Sequence, residues 1–121
     1  MSHLFQKDVD NWMQTCFGPH VSADLLERCD RFIEEALELV QAAGYTEDRA
    51  LALVEYVFGR PKGRFTQEVG GVMVTLSAMC NVLGIDYTEA GTIELARCWK
   101  RIDAIREKQK TKPHGSALPM S

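Results

Sequence analysis

Residues 69–85 form an uncharged segment, which constrains the fold more than any other part of the chain. The segment is at the short end of the roughly 17–25 residues that a membrane-spanning helix needs. It also contains three glycines and the polar residues Thr75, Ser77 and Asn81. These features favour a helix buried on several sides over a membrane span.

Helix start and stop signals recur along the 121 residues, whereas the alternating pattern of strands is absent. Five helices are predicted, at residues 2–16, 22–44, 46–57, 66–84 and 88–110, with capping residues Ser2, Ser22, Thr46, Thr66 and Thr88. Residues 1–21 hold the N-terminal helix and a loop, and residues 111–121 form an irregular tail. The sequence therefore predicts a single all-α domain over residues 1–121, a bundle of four or five helices.

Composition narrows the class of partner. The chain has 14 Lys and Arg against 17 Asp and Glu, which disfavours a general polyanion-binding surface and predicts no nucleic-acid partner. No secretory leader pattern opens the sequence, so we expect a cytoplasmic protein with no membrane partner. The cysteines (Cys16, Cys29, Cys80 and Cys98) lack metal-binding spacing and are interpreted as reduced, half-buried small side chains.

The second predicted helix carries an acidic arc formed by Glu34, Glu35 and Glu38. At 100° per residue these carboxylates fall on one side of the helix, opposite its apolar stripe. An ordinary solvated face is one interpretation. The other starts from their mutual repulsion, because no Lys or Arg follows four residues later. A hard cation, Mg²⁺ or Mn²⁺, would relieve that repulsion.

Glu68 lies in the first turn of the fourth predicted helix, on the same angular face as Val72, Leu76, Met79 and Leu83. A simple interaction with the helix dipole explains an acid there. Alternatively, Glu68 reaches the carboxylates of the second helix and completes a metal site between facing helices. The opposite side of the fourth helix is small or apolar (Gly70, Val74, Ser77, Ala78 and Asn81), so we expect a second copy to cover it in a homodimer or homotetramer.

The ordered pair of motifs, Glu34-Glu35-x-x-Glu38 followed by Glu68, precedes an apolar run that ends in Leu83-Gly84-Ile85-Asp86. This arrangement resembles the MazG-like all-α nucleoside triphosphate pyrophosphohydrolases over about residues 25–110. The family pattern is EExxE followed by ExxD. In this chain the final Asp is replaced by Gly71, for which Asp30, Glu55 and Asp86 are candidate substitutes.

The resemblance implies a Mg²⁺- or Mn²⁺-dependent enzyme that hydrolyses a nucleoside triphosphate to a monophosphate and pyrophosphate, in nucleotide-pool cleansing or nucleotide biosynthesis. It implies that Glu35, Glu38 and Glu68 are metal ligands and that Glu34 is a ligand or a base orienting water. It also implies phosphate binding by Lys100 and Arg106, which flank Asp103 at three-residue steps. A solvated C-terminal helix explains the same basic residues.

Three further positions are candidates for substrate binding. Arg64, with Arg60 and Lys62, belongs to a basic loop before the fourth helix that either steers triphosphate or is simply solvated. Trp12 is a candidate for stacking on the base, although its apolar stripe also suits core packing. Asn11 neighbours Trp12 and is a candidate for reading a base edge.

Two other functions fit the sequence. The first is a non-catalytic helical module that binds a nucleotide or a protein, which the replacement at Gly71 favours. The second is a phosphoribosyl-ATP pyrophosphohydrolase, which shares the helical fold and the chemistry. The N-terminal segment around Trp12 and the long tail are unlike that compact enzyme.

Overall fold

The computed structural model describes residues 4–111. Over this range the chain forms six helices and no strand, which confirms the predicted all-α class. The helices are α1 (Leu4–Ser22), α2 (Leu25–Ala42), α3 (Glu47–Phe58), α4 (Phe65–Leu83), α5 (Tyr87–Lys100) and α6 (Ile102–Lys110). The predicted cap Ser2 and, apart from Thr111, the predicted tail lie outside the described residues.

The chain divides into two compact units. The first combines Met1–Ala36 with Gly91–Ser121, and the second is Leu37–Ala90. Helices α2 and α5 each begin in one unit and end in the other.

In the first unit, α1 packs along α6. Met13 and Cys16 of α1 are buried there. Gly91 of α5 belongs to the same unit, where a Cβ atom would approach the ring of Phe5 to 3.0 Å. The absence of a side chain at Gly91 therefore allows α5 and α1 to come close.

Helix α1 is interrupted at Gly18, which adopts φ 82° and ψ 178° directly before Pro19. Proline removes a backbone donor, and the residue before it avoids helical geometry. The predicted end of the first helix, around Cys16 to Pro19, is confirmed by this interruption. A single helical turn follows it before α2 begins.

The start of α2 differs from the prediction. Asp24, rather than Ser22, caps it, since Asp24 Oδ1 accepts from the Glu27 N–H at 3.2 Å. The Ser22 hydroxyl is directed back to the carbonyl of Pro19 and accepts from the Gln14 amide. The predicted end is confirmed, because Gly44 takes a left-handed conformation with φ 89°.

In the second unit, the predicted Thr46 cap of α3 is confirmed by its hydroxyl, which accepts from the Arg49 N–H. Helix α4 begins at Phe65, and its cap lies two residues earlier than predicted, so Thr66 lies inside the helix. Arg64 occupies the cap position and provides no side-chain hydrogen bond. Gly84 ends α4 in a left-handed conformation, as predicted.

The predicted fifth helix is two helices separated at Arg101, whose φ of −114° and ψ of 23° leave the helical region. Its predicted cap is also displaced by two residues. Asp86 Oδ1 accepts from the N–H groups of Thr88 and Glu89 at 2.9 and 3.1 Å, so Asp86 is the capping residue.

The expectation that α4 is buried on several sides is wrong for the single chain. Cys80 is the one buried residue of α4, while Phe65 is 82% exposed and Val82 is 87% exposed. The described residues contain no single helix long and apolar enough to cross a membrane. Helices α4 and α5 meet that criterion only as a pair joined across a sharp bend.

Candidate functional site

Three of the four predicted catalytic glutamates lie on one uninterrupted helix, α2. Glu34 is half-buried, whereas Glu35 and Glu38 are exposed. Because α2 is regular across this stretch, the three carboxylates share one side of it, as the 100° spacing predicts.

Arg31 relieves part of the repulsion expected within the acidic arc, because it pairs with Glu34. Its guanidinium lies 3.2 Å from Glu34 Oε1 and 3.6 Å from Glu27 Oε1. No Lys or Arg follows these acids by four residues, but Arg31 precedes Glu34 by three residues. Residues three apart are also neighbours on a helix surface. Neutralisation of Glu34 therefore does not require a metal ion.

Glu68 occupies the first turn of α4, as predicted, but its carboxylate does not follow the apolar seam. The side chain folds back over Gly63 in the preceding loop, where a Cβ atom would collide with the carboxylate. A larger residue at position 63 would displace the flexible end of the Glu68 side chain from this position. The Glu68 carboxylate thus lies beside the basic loop of residues 59–64.

The donor set has the chemistry that a hard cation prefers, because it consists of carboxylate oxygens. Within residues 4–111, however, no three acidic, His or Cys side chains are gathered closely enough to hold a metal ion. Glu34 and Glu35 belong to the first unit, and Glu38 and Glu68 to the second. The structure thus brings the three α2 glutamates together on one side of that helix.

The candidates to replace the acid missing at Gly71 differ in their surroundings. Asp86 Oδ1 already accepts the two N–H groups that begin α5. Asp30 is half-buried on α2, one turn before Glu34, and Glu55 is exposed on α3. Asp86 therefore has a local structural role that Glu55 and Asp30 are not shown to share.

Of the two predicted phosphate-binding residues on the C-terminal helices, Arg106 is already engaged by the protein. Its Nε donates to the Cys16 carbonyl at 2.7 Å, and its Nη2 donates to the Thr15 carbonyl at 2.6 Å. Lys100 is exposed at the end of α5. Arg106 thus caps the carbonyls that α1 leaves open before Gly18.

Trp12 takes part in an aromatic cluster within the first unit. Its ring meets Phe17 edge-on, with centroids 5.7 Å apart. Arg28 lies 6.0 Å from the Phe17 ring and donates to Met13 Sδ at 3.5 Å. The cluster supports the packing interpretation of Trp12, while Asn11 beside it is exposed.

Two donors in this cluster, Trp12 Nε1 and Arg28 Nε, are buried without a hydrogen-bond acceptor among the described residues. Burial lowers the pKa of Arg28, partly offset by Glu27. The sequence analysis missed Arg28. Its position one turn before Arg31, beside the Phe17-Gly18-Pro19 break, is the signal that could have identified it.

The basic loop of residues 59–64 presents its cations outward. Arg60 covers the Tyr56 ring at 4.3 Å, and the loop is flanked by Phe58 and Phe65, both more than 80% exposed. Arg64 and Lys62 are exposed as well. An exposed aromatic pair beside three cations is unusual for the surface of an isolated monomer.

Comparison of the chain with protein-family models, curated protein sequences and solved structures gives no match.

Proposed function

We propose that this chain is a metal-dependent nucleoside triphosphate pyrophosphohydrolase of the MazG-like type. The observation that supports the proposal is the order of its glutamates on regular helices. Glu34, Glu35 and Glu38 share one arc of α2, and Glu68 occupies the first turn of α4. This matches four of the five carboxylates in the pattern that the resemblance requires, with Gly71 as the departure.

The proposed reaction adds one water molecule across the α–β phosphoanhydride bond. The bond from phosphorus to the bridging oxygen breaks, a bond to the water oxygen forms, and the products are a nucleoside monophosphate and pyrophosphate. Bound Mg²⁺ or Mn²⁺ would neutralise the triphosphate and acidify the attacking water. Glu35, Glu38 and Glu68 are the proposed ligands.

Glu34 has a different proposed task from the other acids. Because Arg31 lies 3.2 Å from it, its carboxylate is oriented and its charge is partly neutralised. Such a group is suited to orient the attacking water molecule through a hydrogen bond, rather than to contribute a full negative charge to a cation.

The proposed substrate contacts come from three regions. Lys100 and Arg64 are exposed and available to phosphate oxygens. Arg106 uses two of its five N–H donors on α1, so three remain. Trp12 and Asn11 are the proposed contacts to the base, with the aromatic cluster holding Trp12 in position.

The proposal includes self-association through α4. Phe65, Val74 and Val82 are 82%, 69% and 87% exposed, and Leu51 and Phe58 of α3 are 58% and 85% exposed. Contiguous exposed apolar side chains are typical of an interaction surface. The exposed rings of Phe58 and Phe65 together present on the order of 300 Å² of apolar surface. That area approaches the size of the largest apolar patch on a typical monomer. A homodimer or homotetramer would cover these surfaces.

The enzymatic proposal is tested by incubating the protein with Mg²⁺ or Mn²⁺ and each of the eight common NTPs and dNTPs. Pyrophosphate release that Glu38→Gln and Glu68→Gln abolish is the expected result. Glu94→Gln is the matched control, because Glu94 is an exposed helical glutamate paired with Arg97. Release of inorganic phosphate instead, or activity that survives both substitutions, would contradict the proposal.

A second function, a helical module that binds without catalysis, is favoured by one observation: Arg31 already neutralises Glu34. Thermal unfolding separates the two functions when combined with the turnover assay. A binding-only module that recognises nucleotide is stabilised by Mn²⁺ and nucleotide together but releases no pyrophosphate. A protein-binding module shows neither effect.

A further inference from the structure

The exposed face of α4 opposite Phe65 has a nearly palindromic sequence. Val74 is the tenth of the nineteen residues of α4, at its midpoint. Small residues lie three and four positions away on each side: Gly71 and Gly70 before it, Ser77 and Ala78 after it. A side-chain amide lies seven positions away in each direction, at Gln67 and Asn81.

This face is exposed in the single chain except at Ser77, which is half-buried. Val74 is 69% exposed, and a Cβ atom placed on Gly70 or Gly71 would meet no heavy atom within 4 Å. Gln67, Ala78 and Asn81 are also exposed. At 100° per residue all these positions fall within about 60° of Val74, so they form one continuous stripe.

Opposite charges mark the two ends of α4. Arg60, Lys62 and Arg64 precede it, and Asp86 and Glu89 follow it. Glu68 lies beside the basic loop and offsets one of its three cations, so that end remains positive. Cations at a helix N-terminus oppose the helix dipole, so the basic loop does not serve to stabilise α4 itself. The two ends are about 28 Å apart, at 1.5 Å per residue. A second α4 running the opposite way would place each basic loop at the acidic end of its neighbour.

We propose that two copies of this chain associate through an antiparallel α4–α4 contact whose two-fold axis passes at Val74. In such an interface, residue i of one copy meets residue j of the other, and j meets i. Val74 then meets Val74 of the second copy, Gly70 and Gly71 face Ala78 and Ser77, and the Gln67 and Asn81 amides pair. The small residues allow the two backbones to approach closely.

The charges fix the direction of the contact, because a parallel arrangement would bring the two basic loops together. In the antiparallel direction the face and its flanking charges are complementary to themselves. The occupant of this face is therefore a second copy of the chain. The inference rests on the proposed self-association through α4 and adds its direction, its axis and its residue pairs.

Cysteine crosslinking tests the arrangement. Disulfides form only where Cα atoms lie within about 7 Å. We expect Val74→Cys to form a covalent dimer under mild oxidation. Gln67→Cys and Asn81→Cys should each fail to crosslink alone but should crosslink when the two variants are mixed and allowed to exchange subunits. Val82→Cys is the control, since Val82 is 87% exposed on α4 but lies about 80° from Val74, outside the face.

The native cysteines are accounted for by the wild-type protein, oxidised in parallel, and by mapping the linked peptides. Crosslinking of Gln67→Cys with itself would establish a parallel contact and overturn the inference. A protein that sediments as a dimer but shows none of the expected links also overturns it. A protein that remains monomeric at 100-fold higher concentration overturns the self-association itself. A dimer that forms the expected links but releases no pyrophosphate contradicts only the enzymatic proposal.

Discussion

Arg106 Nε donates a 2.7 Å hydrogen bond to the carbonyl of Cys16, joining residues that lie 90 positions apart in the chain. A second bond, from Nη2 to the Thr15 carbonyl, uses the same guanidinium. Together they hold α6 against the end of α1, where Gly18 interrupts the helix. Arg106 is therefore a structural residue, whatever its role toward phosphate.

Replacement of Arg106 by Gln should lower the free energy of unfolding by about 1–2 kcal/mol, because two charge-assisted hydrogen bonds to carbonyls are lost at a partly exposed site. Urea denaturation measures the change. Lys108→Gln, an exposed cation on the same helix, is the control and should change stability by less than about 0.5 kcal/mol. Equal stability of the two variants would show that the contacts to α1 contribute little.

Most of the helix boundaries were predictable, because local chemistry sets them. Thr46, Gly44 and Gly84 act within one turn of their own positions, and the sequence places each correctly. The errors occur where two capping residues compete. Asp24 takes the cap expected of Ser22, and Asp86 takes the cap expected of Thr88, since a carboxylate is at least as good an acceptor as a hydroxyl.

The candidate site was less predictable than the helices. Periodicity places the three α2 glutamates on one side, but it does not reveal that Arg31 turns toward Glu34. The orientation of Glu68 over Gly63 depends on the loop, which no periodic pattern describes. The hydrogen bond from Arg106 to α1 joins segments 90 residues apart, so local sequence patterns do not predict it.

Glu34 and Glu38 should differ in their contribution to turnover, if the proposed function is correct. Glu38→Gln removes a proposed ligand and should reduce kcat/KM by at least about 100-fold. Glu34→Gln should reduce kcat by a similar factor with little change in the Mn²⁺ concentration that gives half-maximal activity, because Glu34 is proposed to orient water. Metal titrations of both variants make the comparison, and a large shift in metal requirement for Glu34→Gln would assign it as a ligand instead.

The four thiols should react with an alkylating reagent in an order set by their surroundings. Cys29 is exposed, whereas Cys16 and Cys80 are buried. Burial raises the pKa of the Cys16 thiol, partly offset by Arg106, and burial followed by the charge of Glu94 raises the pKa of Cys98. A higher pKa leaves less thiolate, the reactive form, at pH 8. Cys29 should therefore be modified first in timed iodoacetamide labelling followed by peptide mapping, and early labelling of Cys16 would contradict the packing of α1.

Thermal stability should depend on protein concentration, because two copies of the chain are proposed to associate through α4. A 100-fold increase in concentration stabilises a dimer by about 2.7 kcal/mol relative to unfolded chains. That corresponds to a rise of several degrees in Tm for a chain of this size. Calorimetry at low and high concentration measures the shift, and Val74→Arg should lower Tm at each concentration by placing a cation on the two-fold axis. A Tm that is independent of concentration would contradict self-association.

Gly71→Asp distinguishes two proposed roles of position 71, which are to face the metal site and to allow close approach at the α4–α4 contact. The substitution restores the acid of the family pattern, which should tighten Mn²⁺ binding if the position faces the metal site. At the proposed α4–α4 contact, the same carboxylate would lie opposite Ser77 of the second copy, where only a small residue allows close approach. We therefore expect Gly71→Asp to weaken dimerisation by about tenfold or more in sedimentation experiments. Gly71→Ala is the control and should weaken dimerisation far less, because it adds only one methyl group in open space and removes a helix-interior glycine. Tighter metal binding with unchanged dimerisation would place position 71 in the catalytic site and remove it from the interface.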